Sequence, residues 1–165
     1  MADTDMTTVT PLGLSPYLTI KDGRGQEAVG FYAAAFDGVE QVRHLAQDGK
    51  RVMHARLQIN GGLVMLSDDF PDFNDGVAAP DPAGVMIHLE VDDADVWFAR
   101  ALAAGASVRM PLADQFWGDR MGSVYDPFGH KWTLGTHIED VSEGEMQTRL
   151  NAWIASMGQT QKQAA

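Results

Sequence analysis

The chain has no cysteine, few basic residues and no long apolar run. Among its 165 residues, 12 Lys and Arg stand against 23 Asp and Glu, for a formal net charge of -11. The absence of Cys excludes a disulfide framework, thiolate metal sites and thiol chemistry. Because the N-terminus also lacks a signal-like apolar segment, a cytoplasmic location is expected. No stretch is apolar enough to cross a membrane, so no membrane partner is expected.

The shortage of basic residues also limits the possible partners. Binding a nucleic-acid backbone depends on clustered Lys and Arg, which this acidic chain does not offer, so no nucleic-acid partner is expected. The acidic residues are scattered or lie in predicted loops, which is typical of a surface that keeps a protein in solution. The length suits one compact domain with its own hydrophobic core.

An internal repeat organises the chain. Aligning Gly62 with Gly129 gives an offset of 67 residues (129 minus 62), and the same offset pairs Phe31 with Phe98. Each of the two glycines lies in a turn between two apolar runs, which predicts a β-hairpin around it. In the second hairpin, Pro127 supplies the fixed φ angle that the second turn position requires. One structural unit is therefore predicted to occur twice.

Each copy is predicted to contain a strand, a helix and three further strands. The first helix is expected over 26–37 with Gly38 as its stop, and the second from an N-cap at Asp92 or Asp93 to Gly105. The expected strands span 15–22, 39–47, 51–59, 62–68, 84–91, 106–110 and the two arms of the hairpin 114–137. The predicted fold class is α+β, with two βαβββ modules and a C-terminal helix.

The remaining segments connect or flank the two modules. The predicted division is a flexible tail (1–12), a first module (13–70), a linker (71–83), a second module (84–138) and an amphipathic C-terminal helix (142–158). Ser142 and Glu145 form a capping box for this helix, whose apolar stripe must be covered by its own sheet or by a second subunit. Since curved sheets with such a helix leave apolar surface, a homodimer is expected.

The repeated βαβββ unit resembles the paired modules of the vicinal oxygen chelate superfamily, which includes glyoxalases, extradiol dioxygenases, fosfomycin-modifying enzymes and bleomycin-binding proteins. Within it the sequence is most similar to the PhnB-like branch. The resemblance covers residues 15–137. The phrases that carry it are Pro16-Tyr17-Leu18, Phe31-Tyr32, Asp48-Gly49, His54-Ala55, Met65-Leu66-Ser67-Asp68, Gly105-Ala106, Phe116-Trp117-Gly118-Asp119-Arg120 and Asp126-Pro127-Phe128-Gly129-His130.

The resemblance implies that each module's sheet curls into half of a cup, with the helices outside and the site inside. The alternation along the strands then gives two sets of side chains. The helix-facing set is Leu18, Ile20, Leu57, Ile87, Leu89 and Val91. The cup-facing set is Tyr17, Thr19, His54, Arg56, Gln58, Met86, His88, Glu90 and Thr133. A polar lining costs free energy unless its groups are paired or wet, so the cup is expected to hold water or a ligand.

Metal-dependent members of the superfamily take their ligands from the first and last strand of each module. The resemblance places His88 and Thr133 at these positions in the second module, with Thr133 where a Glu is usual, and Tyr17 and Leu66 at those of the first. A catalytic divalent ion needs about three His or carboxylate ligands, and only His88 qualifies. No metal or other cofactor is therefore expected. The alternative is a divalent ion that His88 shares with His54 and Glu90.

Two histidines and six further residues are the candidates for the site. His54 and His88 are the catalytic candidates, with His88 alternatively a structural imidazole bonded to Tyr17 or Glu90. The ligand-binding candidates are Tyr17, Arg56, Glu90, Trp117, Arg120 and Thr133. Trp117 and Arg120 offer a stacking ring and a fixed cation for a planar or anionic ligand. Alternatively, Arg120 pairs with Asp119 or Asp126 and braces the hairpin.

The resemblance leaves three kinds of function open. The first is a PhnB-like protein that binds a small molecule in the cup and uses no metal in any chemistry it performs. The second is a metal-dependent lyase or dioxygenase, and the third is a binder that sequesters its ligand, as bleomycin-resistance proteins do. An enzyme would be a lyase, transferase or dioxygenase, and analogy of fold does not choose the reaction.

Overall fold

The strands and helices of both predicted modules are present in the computed structural model, which describes residues 13–82 and 84–163. The first module contains β1 (Tyr17–Ile20), α1 (Gly25–Phe36), β2 (Val39–Leu45), β3 (Val52–Ile59) and β4 (Gly62–Asp68). The second contains β5 (Met86–Glu90), α2 (Ala94–Ala104), β6 (Ser107–Asp114), β7 (Asp119–Tyr125) and β8 (Lys131–His137). A 3-10 turn (Pro71–Phe73) lies between them, and α3 (Glu143–Gln163) follows. The predicted flexible tail, 1–12, lies outside the described residues.

Each module forms one four-stranded sheet, and the two sheets have equivalent strand orders. The first sheet has the order β1-β4-β3-β2 and the second the order β5-β8-β7-β6. In each sheet the module's first strand pairs in parallel with its last strand, and the other neighbours are antiparallel. The predicted α+β class with a repeated βαβββ module is confirmed. β1 and β5 are edge strands of their sheets.

The two module helices end near the predicted glycines for different physical reasons. Gly105 caps α2 with a φ of 113°, in the region that favours glycine. In α1 the left-handed residue is Asp37, with a φ of 54°, and not Gly38. Gly38 is needed for space, because a Cβ there would lie 2.9 Å from the carbonyl oxygen of Tyr32. Of the two predicted N-caps of α2, Asp93 is the one whose carboxylate accepts a backbone hydrogen bond in the first turn.

A single hydrophobic core lies between the two sheets. α1 packs on the first sheet, α2 packs on the second, and the two helices pack on each other. The rings of Tyr32 and Phe36 in α1 contact Trp132 of β8, with centroid distances of 5.5 and 4.7 Å. The residues predicted to face the helices are all buried or half-buried in this core: Leu18, Ile20, Leu57, Ile87, Leu89 and Val91. The modules therefore share one core.

The hairpin turn of each module also contacts the other module. In the β7–β8 turn, the Pro127 carbonyl accepts a hydrogen bond of 3.0 Å from Arg24, whose guanidinium lies 4.7 Å from the centroid of the Phe128 ring. In the β3–β4 turn, the Asn60 amide donates a hydrogen bond to the carbonyl of Glu90. These reciprocal contacts follow from the repeat, since equivalent turns dock at equivalent places.

Asp126 is the polar centre of the contact between the modules. It is 4% exposed and accepts hydrogen bonds from the Tyr32 hydroxyl at 2.7 Å and the Trp132 indole N–H at 2.9 Å. Its other oxygen accepts from the backbone N–H groups of Phe128 and His130. Burial alone would raise the pKa of Asp126, but the groups that surround the carboxylate outweigh burial and lower it. Burial, with the Asp126 charge beside it, raises the pKa of Tyr32.

The C-terminal helix α3 leaves much of its apolar stripe exposed. Ser142 caps it by accepting a hydrogen bond from the backbone N–H of Glu145, but the Glu145 carboxylate binds Arg149 instead of completing the capping box. Of the stripe, Trp153 contacts Phe116 with a ring distance of 5.5 Å. The exposed members are Trp153, Ile154 and Met157. The protein's own sheets therefore do not cover the outer part of the stripe.

Candidate functional site

The polar residues predicted to line the cup lie on the sheet faces that point away from the core, here called the open faces. Tyr17, Thr19, His54, Arg56 and Gln58 lie on the open face of the first sheet. Met86, His88, Glu90 and Thr133 lie on the open face of the second sheet. Since the helices lie between the sheets, the two open faces of one chain point away from each other. No hydrogen bond or ring contact among the described residues joins His54 to His88.

On the first sheet, His54 joins a tyrosine and a second histidine. The Tyr17 hydroxyl lies 3.0 Å from Nδ1 of His54. His44, which is the cross-strand neighbour of His54 on β2, stacks on it with a ring distance of 6.4 Å. The pKa of His54 is lowered chiefly by burial, and further by the charge of Arg56 and by the nearby His44. At neutral pH the His54 ring is therefore uncharged and able to accept a proton.

On the second sheet, His88 is held by hydrogen bonds at both ring nitrogens. Nδ1 lies 3.0 Å from the Thr133 hydroxyl and Nε2 lies 3.1 Å from the Glu90 carboxylate. Because a carboxylate only accepts, Nε2–H of His88 is the donor in the hydrogen bond to Glu90. The ring lies against Gly135, where a Cβ would be 3.1 Å from Cε1 of His88. Of the two predicted structural partners of His88, the chain supplies Glu90 and not Tyr17.

The strand registers correct the predicted equivalence between the modules. Thr133 pairs with His88 across β5 and β8, on the open face. Counted from the hairpin turns, the open-face pair at the same place in the first sheet is Tyr17 with Met65, while Leu66 is fully buried in the core. The prediction that Leu66 matches Thr133 is therefore wrong, because Met65 takes that place, whereas Tyr17 does lie at the position of His88. A single offset fails because the β7–β8 turn is longer than the β3–β4 turn.

Trp117 and Arg120 lie apart from both histidine clusters. The Arg120 side chain lies on the core-facing side of β7. Its guanidinium binds Asp95 of α2 at 2.6 and 2.8 Å and Asp114 at 2.8 Å. These hydrogen bonds raise the pKa of Arg120. The bracing partners are thus Asp95 and Asp114, and not the predicted Asp119 or Asp126. Trp117 packs edge-on against Phe116 in the β6–β7 turn.

Three residues that sequence reasoning missed also belong to these surfaces. His44 reaches His54 through the pairing of β2 with β3. Arg109 donates a hydrogen bond of 3.2 Å to Ser123, which is fully buried on the open side of β7. Arg109 lies where the β6–β7 register shifts between Val108 and Met110. Such an irregularity leaves no signal in the alternation, so only the paired strands reveal it.

A separate cavity lies at the seam between the modules. Its volume is about 450 Å³, and its walls come from β1, the linker, the start of β5 and the β7–β8 turn. Tyr17 and Thr19 reach it, but His54 and His88 do not line it. This cavity and the clusters around His54 and His88 are thus at different places. We base the candidate site on the open faces, because the hydrogen-bonded titratable groups are there.

Comparison with known proteins identifies the family. A family model described as the Glyoxalase/Bleomycin resistance protein/Dioxygenase superfamily matches residues 15–134. The chain belongs to this superfamily. The uncharacterized protein Rv0887c of Mycobacterium tuberculosis is 46% identical over 154 residues, which covers 91% of this chain and 88% of that protein.

Solved structures of other proteins share the fold. Protein PA1353 from Pseudomonas aeruginosa is 29% identical, with a TM-score of 0.64, over 78% of this chain and 100% of that chain. The PhnB protein from Bacillus cereus, described as a putative 3-demethylubiquinone-9 3-methyltransferase, is 22% identical, with a TM-score of 0.56, over 74% of this chain and 98% of that one. At that identity the likeness is one of fold. No helix among the described residues is long and apolar enough to cross a membrane.

The donors on the open faces do not fit the metal site of metal-dependent superfamily members. His88 stands beside Thr133, and the matching pair on the first sheet is Tyr17 with Met65. The hydroxyl groups of Thr133 and Tyr17 and the thioether of Met65 do not replace the imidazole and carboxylate ligands that such an ion needs. Within 13–82 and 84–163, no group of three or more His, Asp or Glu is placed to hold one ion.

His54 and His137 should titrate on opposite sides of the ordinary histidine pKa of about 6.5. Hydrogen bonds to Asp119 and Asp140 raise the pKa of His137, whereas burial lowers that of His54. The His137 contribution to stability is therefore full below that pKa and is lost as the pH rises through its raised value. His54 instead costs stability as the pH falls. Histidine NMR titrations, with His137→Gln for assignment, test this; two indistinguishable midpoints would contradict it.

Proposed function

We propose that this protein is a PhnB-like member of the superfamily that binds a small molecule between open sheet faces, without a resident metal. The observation that carries the proposal is the pair of preformed polar clusters, Tyr17 with His54 and His88 with Thr133 and Glu90, on the sheet faces opposite to those on which α1 and α2 pack. Polar groups held in fixed geometry on concave surfaces are typical of ligand sites. His54, neutral at pH 7, is the general-base candidate, with Tyr17 as its hydrogen-bond partner.

The proposed site is completed by a second copy of the chain. Because the two open faces point apart, His54 and His88 of one chain cannot reach the same ligand. A two-fold dimer can place the first sheet of one copy opposite the second sheet of the other. The unpaired edges of β1 and β5 and the exposed stripe at Trp153, Ile154 and Met157 supply surface for that contact.

Ligand binding is tested by a thermal-shift screen of small carboxylates, phosphonates and phenols. A ligand at about 100 times its Kd should add about 2.7 kcal/mol of stability, or roughly 5 to 10 °C in Tm. His54→Ala and His88→Ala should each abolish the shift, whereas Asn74→Ala in the linker should keep it. If no compound stabilises the wild type, or if both histidine variants respond normally, the proposal fails. One equivalent of a divalent metal that is lost with His88→Ala would instead favour a metalloenzyme.

Mixing the two inactive variants tests whether the site is shared. In a dimer of one His54→Ala chain and one His88→Ala chain, one site carries both changes and the other carries neither. Mixed dimers, formed by unfolding and refolding the two variants together, should therefore regain one of their two binding sites. A site built within one chain would regain none, and a monomer in light scattering would also refute the shared site.

A further inference from the structure

Arg109 lies on β6 and, unlike five of the other arginines, has no carboxylate partner among the described residues. Arg24, Arg43, Arg51, Arg120 and Arg149 each form an ion pair with Asp or Glu. Arg109 forms none among the described residues, although Asp and Glu outnumber the basic residues in this chain. Its side chain is exposed, and its one hydrogen bond in the described chain goes to the Ser123 hydroxyl. The fork of the guanidinium is therefore open to a ligand.

Arg109 belongs to a row of polar side chains that crosses the open face of the second sheet. Ser123 and Thr133 are cross-strand partners on β7 and β8, and they are 0% and 2% exposed. Arg109 reaches from β6 to Ser123, and His88 reaches from β5 to Thr133. Since neighbouring strands lie about 5 Å apart, the two hydroxyl-bearing residues that hold the guanidinium and the imidazole lie about one strand spacing from each other. The buried hydroxyls thus position two exposed nitrogen-bearing groups.

We propose that Arg109 binds an oxyanion, a carboxylate or phosphonate group of the ligand, in the space between its guanidinium and the His88 ring. This rests on the proposed function, since the rest of the ligand would lie in the same cup. A guanidinium has five N–H donors, and Ser123 takes one, so a fork remains for two anion oxygens. Glu90 is engaged by His88 and leaves this fork free. Ser123 acts as a positioning residue that fixes the guanidinium over β7.

The test titrates benzoate, methylphosphonate and inorganic phosphate into the full chain while following the backbone amide resonances of β5 and β8 by NMR. We expect a saturable shift for benzoate or methylphosphonate, and a Kd about tenfold or more weaker in Arg109→Gln. Arg120→Gln removes the same charge from the other face of the same sheet and should leave the Kd unchanged. Ser123→Ala should weaken binding less than Arg109→Gln, and Ser123→Thr should restore it.

The outcomes separate this proposal from the proposed function. Equal weakening in Arg109→Gln and Arg120→Gln would show general charge attraction and overturn the oxyanion position. If a neutral phenol binds the wild type and Arg109→Gln equally and none of the oxyanions binds, the oxyanion position is also overturned while the proposed function stands. Preference for benzoate over methylphosphonate would identify a carboxylate ligand, and the reverse a phosphonate. If inorganic phosphate is the only compound that binds, the site holds an adventitious ion only, and the proposal is refuted.

Discussion

Replacing Asp126 by alanine should lower the free energy of unfolding by about 3 to 5 kcal/mol, as expected when a buried charged network loses its centre. The carboxylate accepts from Tyr32, Trp132 and two backbone N–H groups, and all four donors would lose it. Tyr32→Phe removes one of these hydrogen bonds to a charged group and should cost about 1.5 to 3 kcal/mol. Urea denaturation of the three proteins at pH 7 measures both values.

A surface carboxylate with similar bonds provides the matched control for Asp126. Asp48 accepts from two backbone N–H groups and from Arg51, but it is exposed, so Asp48→Ala should cost much less than Asp126→Ala. The Asp126 pKa is lowered in the folded chain, so its contribution is present above the unfolded pKa and is lost as the pH falls through the folded value. Equal losses for the two alanine variants at pH 7 would refute the central role of Asp126.

Replacing Phe36 by alanine should destabilise both modules together by about 3 to 5 kcal/mol. Phe36 is fully buried in α1 and contacts Trp132 of the second module at 4.7 Å. All four tryptophans lie at position 97 or later, so fluorescence reports on the second module and α3, while far-UV circular dichroism reports on the whole chain. Because the modules share one core, both signals should shift to the same lower urea midpoint.

Independent modules would give a different result in the Phe36 experiment. Phe36→Ala would then leave the fluorescence transition at its wild-type midpoint, so that the fluorescence and circular dichroism transitions would no longer coincide. Phe73→Ala provides the control for loss of a phenyl ring, since Phe73 is 76% exposed and its removal creates no cavity. Its two transitions should remain at the wild-type midpoint.

Local patterns in the sequence were sufficient to predict the elements and the two faces of each strand. Alternation placed Leu18 and Leu57 toward the helices and His54 and His88 away from them, because successive side chains of a strand point to opposite sides. Helix periodicity and the caps at Asp93 and Gly105 gave the second module helix its limits. These features depend on residues a few positions apart, so they are readable without the tertiary structure.

The arrangement of the site depended on contacts between residues far apart in the chain. The sequence did not indicate that the helices separate the two open faces, and hence that His54 and His88 of one chain lie apart. Nor did it show that Asp95 binds Arg120, or that a shift in the β6–β7 register leaves Arg109 beside Ser123. Burial pattern and propensity are properties of short segments, whereas register, ion-pair choice and the packing of modules are set by the whole folded chain.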